Sequence, residues 1–348
     1  MRILISPRPT AKYSVGIFLQ RVTKELNRRG YKWTAHPFHY SGFSMFSWDY
    51  VFMMGTPRHI EKALSSRKPI IVTMGKPESR EEHKALNKDY LPEHEKQELL
   101  MARAIMESDK VVFISQYVEN IWREIFNARG LSFPAVKKVR VIYHGVDINC
   151  FMQASERENA PFVLGSAGAL RLRYRLGTLF AVSRLLKFEH RVLIVGSMDT
   201  ECKDEFGKAM KDSELSGRTK YVPWVNARAL PNYYRQMHCL FHPVDYEGFG
   251  NVVAEALACG VPVVVPAHGA PKEYILHNGG VAVDTEQFNY NEEFCHKMAN
   301  AVTQIRENWL EFVRGARESA VQNVSIEKCI DSYLDFMELP RHFGINKQ

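Results

Sequence analysis

Two glutamates with seven residues between them, Glu247 and Glu255, frame the most chemically suggestive stretch of the chain, Asp245-Tyr-Glu-Gly-Phe-Gly-Asn-Val-Val-Ala-Glu-Ala-Leu-Ala-Cys-Gly-Val-Pro-Val-Val-Val-Pro266. The pattern predicts a strand over His238–His242, a glycine-rich turn at Glu247–Gly250, and a helix starting near Asn251 that Gly260 ends. Gly248 and Gly250 let the backbone come close to a ligand, and the amides of a helix start favour an anion. Carboxylates beside an anion site make chemical sense if Glu247 and Glu255 hold hydroxyl groups while the amides around Phe249 and Asn251 hold phosphates. A second cationic feature, Gly168-Ala-Leu-Arg-Leu-Arg-Tyr-Arg175, offers Arg171, Arg173 and Arg175. A guanidinium suits such a site because its planar fork grips phosphate oxygens in pairs and stays charged.

The elements that must position these groups read as two α/β series. In the first half, strands are expected over Arg2–Ser6, Asp49–Met54, Lys68–Thr73, Lys110–Ser115 and Lys138–Tyr143. An amphipathic helix over Ile17–Arg29 stops at Gly30. A second series begins near Pro161, with strands over Phe162–Ser166, Arg191–Gly196, Lys220–Pro223, Cys239–Pro243 and Val261–Pro266, and is mostly helical after about Phe288. The polar stretch Asn149–Ala160 reads as a linker. Alternation of this kind predicts doubly wound parallel sheets, which bind ligands beyond their strand C-termini.

Composition agrees with a globular chain: 348 residues, of which 45% are hydrophobic and 24% charged, enough for two domains and against a disordered or disulfide-built protein. The six cysteines form no C-x-x-C pair, which argues against a zinc ribbon or a secreted framework. No D-x-D triplet occurs, nor a His/Cys/Asp cluster with metal spacing, so no metal is expected. Neither a P-loop nor a G-x-S-x-G elbow is present. The positive charge is one-sided: residues 1–155 hold 24 Lys and Arg against 15 Asp and Glu, and the remainder is slightly acidic. A basic first half suggests an anionic partner. No apolar run is long enough to span a membrane, and the first residues lack a signal-peptide layout, so a cytoplasmic setting is expected.

The wording E-G-F-G-x-x-x-x-E-A-x-A-x-G-x-P-V-V resembles the E-x7-E motif of the retaining family 4 glycosyltransferases, whose GT-B fold has two Rossmann-like doubly wound domains facing each other across a cleft. The likeness extends to Lys110–Ser115 followed by Val141-Ile-Tyr-His-Gly-Val-Asp147, and to Tyr221-Val-Pro-Trp-Val225 with Leu230. It implies an acceptor-binding domain over 1–155, a donor-binding domain over 156–325 and a helical segment over 326–348 that crosses back to the first domain.

By the same resemblance, Glu247 lies near the donor sugar, Glu255 holds the ribose, and Gly248, Phe249, Gly250 and Asn251 take the sugar or diphosphate. A basic pair neutralises the diphosphate. Arg171 and Arg175 are the first choice for it, with Arg173 in reserve, because the family spacing is not reproduced. Trp224 and Val225 are candidates for the nucleotide base or for plain core. Gly16 is the remaining member of a Gly-Gly loop, in which Val15 occupies the other place. Two other departures stand out: Gly75 replaces a customary His, and Pro223 replaces a glycine.

The implied activity is metal-independent hexosyl transfer, without a cofactor, from a nucleotide diphosphate sugar to an acceptor held by the basic first domain, with retention of configuration. The acceptor is open: lipid-linked, polysaccharide or another anionic molecule. The basic domain and the aromatic-rich run 38–50 suggest peripheral association with an anionic membrane, at the inner face. DNA is a rival acceptor. A nucleotide-binding GT-B protein without transferase activity, or a DNA-modifying sugar transferase, are the alternative functions.

Overall fold

The computed structural model describes residues 2–6, 14–35, 49–54, 63, 69–153, 161–244, 246–276, 278–286 and 289–342. The chain divides into two compact units, Met1–Gly145 with Ser325–Gln348, and Val146–Val324.

In the first unit, six parallel strands lie in the order β2-β1-β3-β4-β5-β6: β1 Arg2–Ser6, β2 Lys32–Ala35, β3 Tyr50–Met54, β4 Ile70–Met74, β5 Lys110–Phe113 and β6 Val139–Val141. Strands covered on both faces read as unbroken apolar runs, and β4, Ile-Ile-Val-Thr-Met, is buried at every position. The helix Gln116–Ala128 starts where the Ser115 side chain accepts a hydrogen bond from the Val118 amide, a local N-cap.

The carboxyl-terminal helix Ile326–Phe336 completes this core. Ile326, Cys329, Ile330, Tyr333 and Leu334 pack with Ile3, Ile5, Phe18 and Phe52. The Tyr333 hydroxyl lies 2.8 Å from Thr73 Oγ1, and buried Arg29 pairs with both Glu25 and Asp331. At the return point a Cβ on Gly145 would lie 2.5 Å from the Ile326 backbone, so only glycine fits.

The second unit repeats the plan with β7 Phe162–Ala167, β8 His190–Val195, β9 Thr219–Val222, β10 Cys239–Phe241, β11 Val263–Pro266 and β12 Gly280–Val283. Their order is β12-β11-β10-β7-β8-β9, all parallel. The order reverses between β7 and β10, so the chain leaves these neighbours in opposite directions and opens a crevice beyond their C-terminal ends. The helix Glu292–Glu307 packs against Leu176–Leu185, and Trp309–Asn323 against Asn251–Ala258.

Three sequence expectations change. The division falls at Gly145/Val146, ten residues before the expected 155/156 boundary. Residues 149–153 of the expected linker belong to the second unit, where Arg317 donates to the carbonyls of Ile148 and Phe151 at 3.1 and 2.8 Å; residues 154–160 lie outside the described set, as do 38–48 of the aromatic run. The edge strands β2 and β12 add to the strands expected from the sequence. Among the described residues, no helix is long and apolar enough to cross a membrane.

Candidate functional site

Two chain exits meet at the strand-order reversal of the second unit. After β7 the backbone turns at Gly168, whose φ of 124° is open to glycine but strained for other residues. It then runs beside the exit of β8: a Cβ on Gly196 would lie 1.9 Å from the Gly168 carbonyl oxygen. Asp199 fastens this arm, accepting from the Leu172 amide at 3.1 Å while also capping the helix Thr200–Ala209. A single 3-10 turn, Leu172–Tyr174, follows.

The β10 exit carries His242, Tyr246 and Glu247. The backbone of Glu247 is held from below, its carbonyl accepting from the Ala270 amide at 2.9 Å. A Cβ on Gly269 would come within 3.1 Å of the Glu247 backbone nitrogen. Buried Tyr274 donates to the carbonyls of Phe249 and Gly250 and so sets the shape of the Gly-Phe-Gly turn. The helix Asn251–Ala258 begins after Gly250, which is left-handed and offers no side-chain cap, so its first amides face whatever occupies the turn. Asn251 Oδ1 is buried with no hydrogen-bond partner among the described residues.

The Glu247 carboxylate, with only 13% of the side chain exposed, is the electrostatic centre. His242 Nε2 lies 3.4 Å and Arg173 Nη2 4.0 Å from its Oε2. Burial alone would raise its pKa. The His242 contact, the Arg173 charge and a hydrogen bond from the Phe249 amide outweigh that and bring it down to about 2. Glu247 is therefore an anion, available to accept hydrogen bonds and unable to give up a proton near neutrality. Tyr174 stands edge-on to His242, with ring centroids 5.3 Å apart. Its phenol is pushed up to about 12, by burial first and by Glu247 second.

The other expected residues divide. Arg173, the reserve of the three arginines, is the one beside Glu247. Arg175 adopts a left-handed backbone, φ 47°, and lays its guanidinium over the Tyr290 ring at 4.6 Å; Arg171 is exposed. Glu255 is buried within its helix, where Oε2 accepts from the Tyr234 hydroxyl at 3.0 Å. Trp224, beyond the end of β9, is 74% exposed, which excludes the core reading for it; Val225 is half-buried. Gly248, Phe249 and Gly250 form the buried turn already described. Gly16 belongs to the first unit, buried in the first turn of the helix Ser14–Arg28.

Sequence reasoning passed over His242, Tyr174, Tyr234, Gly269 and Tyr274. Of these only His242 left a signal, a polar residue ending an otherwise apolar strand at the edge where the glycine-rich turn begins. Among the described residues no three His, Cys, Asp or Glu are grouped to hold a metal ion.

Two parallel α/β units of this topology define the GT-B fold, and solved structures agree. The sucrose-phosphate synthase of Thermosynechococcus elongatus superposes with a TM-score of 0.75 at 16% identity, over 97% of this chain and 98% of that one. Anabaena HepE, in its complex with UDP-glucose, gives a TM-score of 0.72 at 14% identity, over 97% and 99% of the two chains.

Residues 147–306 match the family model described as glycosyl transferases group 1. The D-inositol 3-phosphate glycosyltransferase of Pseudarthrobacter chlorophenolicus is 31% identical over 146 residues, 40% of this chain and 32% of that protein. The matched stretches span less than half the length of such curated relatives.

Proposed function

We propose that the protein is a retaining, metal-independent glycosyltransferase that takes a hexosyl group from a nucleoside diphosphate sugar. The observation that carries the reading is Glu247, held as an anion beside Arg173 at the mouth of the uncapped helix Asn251–Ala258. In this reading Arg173 and the first-turn amides receive the diphosphate, and Asn251 Oδ1 finds its donor on the ligand. Glu247 accepts from a sugar hydroxyl and Glu255 from the ribose. The bond between the anomeric carbon and the diphosphate oxygen breaks while a bond to the acceptor oxygen forms on the same face. The acceptor's proton passes to the departing diphosphate. The charge that develops on that leaving group is what Arg173 and the helix start would stabilise. The UDP-glucose seen with HepE makes a uridine nucleotide the first donor to try.

The test is a thermal-shift series of the full chain with UDP, GDP, ADP and dTDP, alone and as their sugars, for wild type and Arg173→Ala. A ligand bound by the native state alone stabilises it by about 2.7 kcal/mol at a hundredfold excess over Kd. Stabilisation by one base, lost in the variant, supports the reading. No shift with any nucleotide overturns it.

A further inference from the structure

We propose that His242 is a positioning residue that holds the Glu247 carboxylate in its working direction independently of Arg173. The inference rests on the reading of this site as the donor site and names a residue that the reading does not use.

The neighbours of Glu247 differ in how firmly each is held. The backbone of Glu247 is pinned by Ala270 and Gly269, so the direction of the carboxylate depends on what meets its oxygens. Three groups do: the Phe249 amide, the Arg173 guanidinium and the His242 imidazole. Arg173 is 34% exposed along its side chain and reaches Glu247 only at 4.0 Å. An incoming diphosphate, with more charge than a carboxylate, would draw that guanidinium toward itself.

His242 is 1% exposed and has no such freedom. Its ring is walled by Tyr174, which is itself confined, since a Cβ on Gly168 would stand 3.1 Å from the Tyr174 hydroxyl. Tyr174 in turn feels the charges of Glu247, Arg173 and Arg171. His242 Nε2, buried 3.4 Å from Oε2 and without another hydrogen-bond partner among the described residues, is thus the side-chain contact that stays when Arg173 turns to the ligand. Fixing the carboxylate matters because misplacing a contacting group by about 1 Å can cost on the order of a hundredfold in rate.

The experiment uses the full chain labelled with 13Cδ-glutamate. The Glu247 resonance is identified by its loss in Glu247→Gln. It is then followed with pH in wild type, His242→Phe and His242→Gln; the glutamine places an amide N–H near the position of Nε2. Expected is a Glu247 transition at least about one pH unit higher in His242→Phe than in wild type, restored by His242→Gln. A folded His242→Phe with the wild-type Glu247 titration overturns the proposal; His242→Met carries the same measurement if the phenylalanine variant does not fold.

Donor hydrolysis or transfer supplies the second readout. His242→Phe should lower kcat about ten- to a hundredfold with little change in KM, rescued by His242→Gln, and equal kcat in wild type and a folded His242→Phe overturns the role. If wild type turns over no nucleotide sugar while the glutamate titration still moves as expected, the donor-site reading fails and the placement of Glu247 by His242 stands.

Discussion

The hydroxyl of Tyr234 donates to Oε2 of Glu255 at 3.0 Å, and both residues are buried in the second unit, one on the short helix Leu230–Tyr234 and the other on Asn251–Ala258. The phenol is held well above its ordinary range, by burial first and by the Glu255 charge second. Tyr234 therefore stays a donor at every pH the protein meets. Losing a hydrogen bond to a buried charge costs about 1.5–3 kcal/mol. Tyr234→Phe should lower unfolding stability by that amount in urea. In a double-mutant cycle with Glu255→Gln, the coupling should be a large share of it.

Glu247 makes the stability of the second unit pH-dependent in a definite direction. Its carboxyl is lowered from an ordinary value of 4.5 to about 2 in the folded chain. Its contribution is fully present above the unfolded value and drains away as pH falls from about 4.5 toward 2. Glu247→Gln should remove that component. Urea midpoints of wild type should approach those of the variant between about pH 5 and pH 3.

Arg173 and Arg175 should separate in function. Arg173 stands beside Glu247, whereas Arg175 lies on Tyr290 with a left-handed backbone. Arg173→Ala should weaken nucleoside diphosphate affinity by at least about tenfold, the scale of one charge-assisted hydrogen bond. Arg175→Gly removes the strain of a positive φ as well as the stacking, so it should change stability by less than about 1 kcal/mol. Calorimetric titration with UDP, beside thermal melts, reads both.

Gly196 should tolerate no side chain. Its φ is 128°, and a Cβ would stand 1.9 Å from the Gly168 oxygen. Gly196→Ala should cost about 3 kcal/mol and lower the melting temperature by about 10 °C. The arm carrying Arg173 should shift with it, weakening nucleotide binding beyond the loss of fold.

In the first unit, Arg29 is buried between Glu25 and Asp331, tying the carboxyl-terminal helix to Ser14–Arg28. Asp331→Ala leaves that guanidinium short of a partner and should cost about 3 kcal/mol. Hydrogen exchange should show the loss in the helices Ser14–Arg28 and Ile326–Phe336 while amides of the second sheet keep their protection.

Much of the architecture was legible in the residues themselves. Parallel strands buried on both faces must be nearly all apolar, so β4 and β11 announce themselves, as does Gly250 before a helix with no cap of its own. The E-x7-E spacing placed Glu247 on a loop and Glu255 in a helix by the same local rules. Tertiary structure alone decided what each charge meets. Arg171, Arg173 and Arg175 are equivalent in one dimension; a 3-10 turn and a left-handed residue sent one to Glu247 and another to Tyr290. His242, Tyr234 and Tyr274 acquire their roles from contacts across separate loops and helices, and Arg317 ties the start of the apparent linker to the second unit by reaching the carbonyls of Ile148 and Phe151, far away in sequence. Periodicity records which face of an element is buried. Hydrogen bonds and ion pairs between distant elements depend on distances that only the packed chain creates.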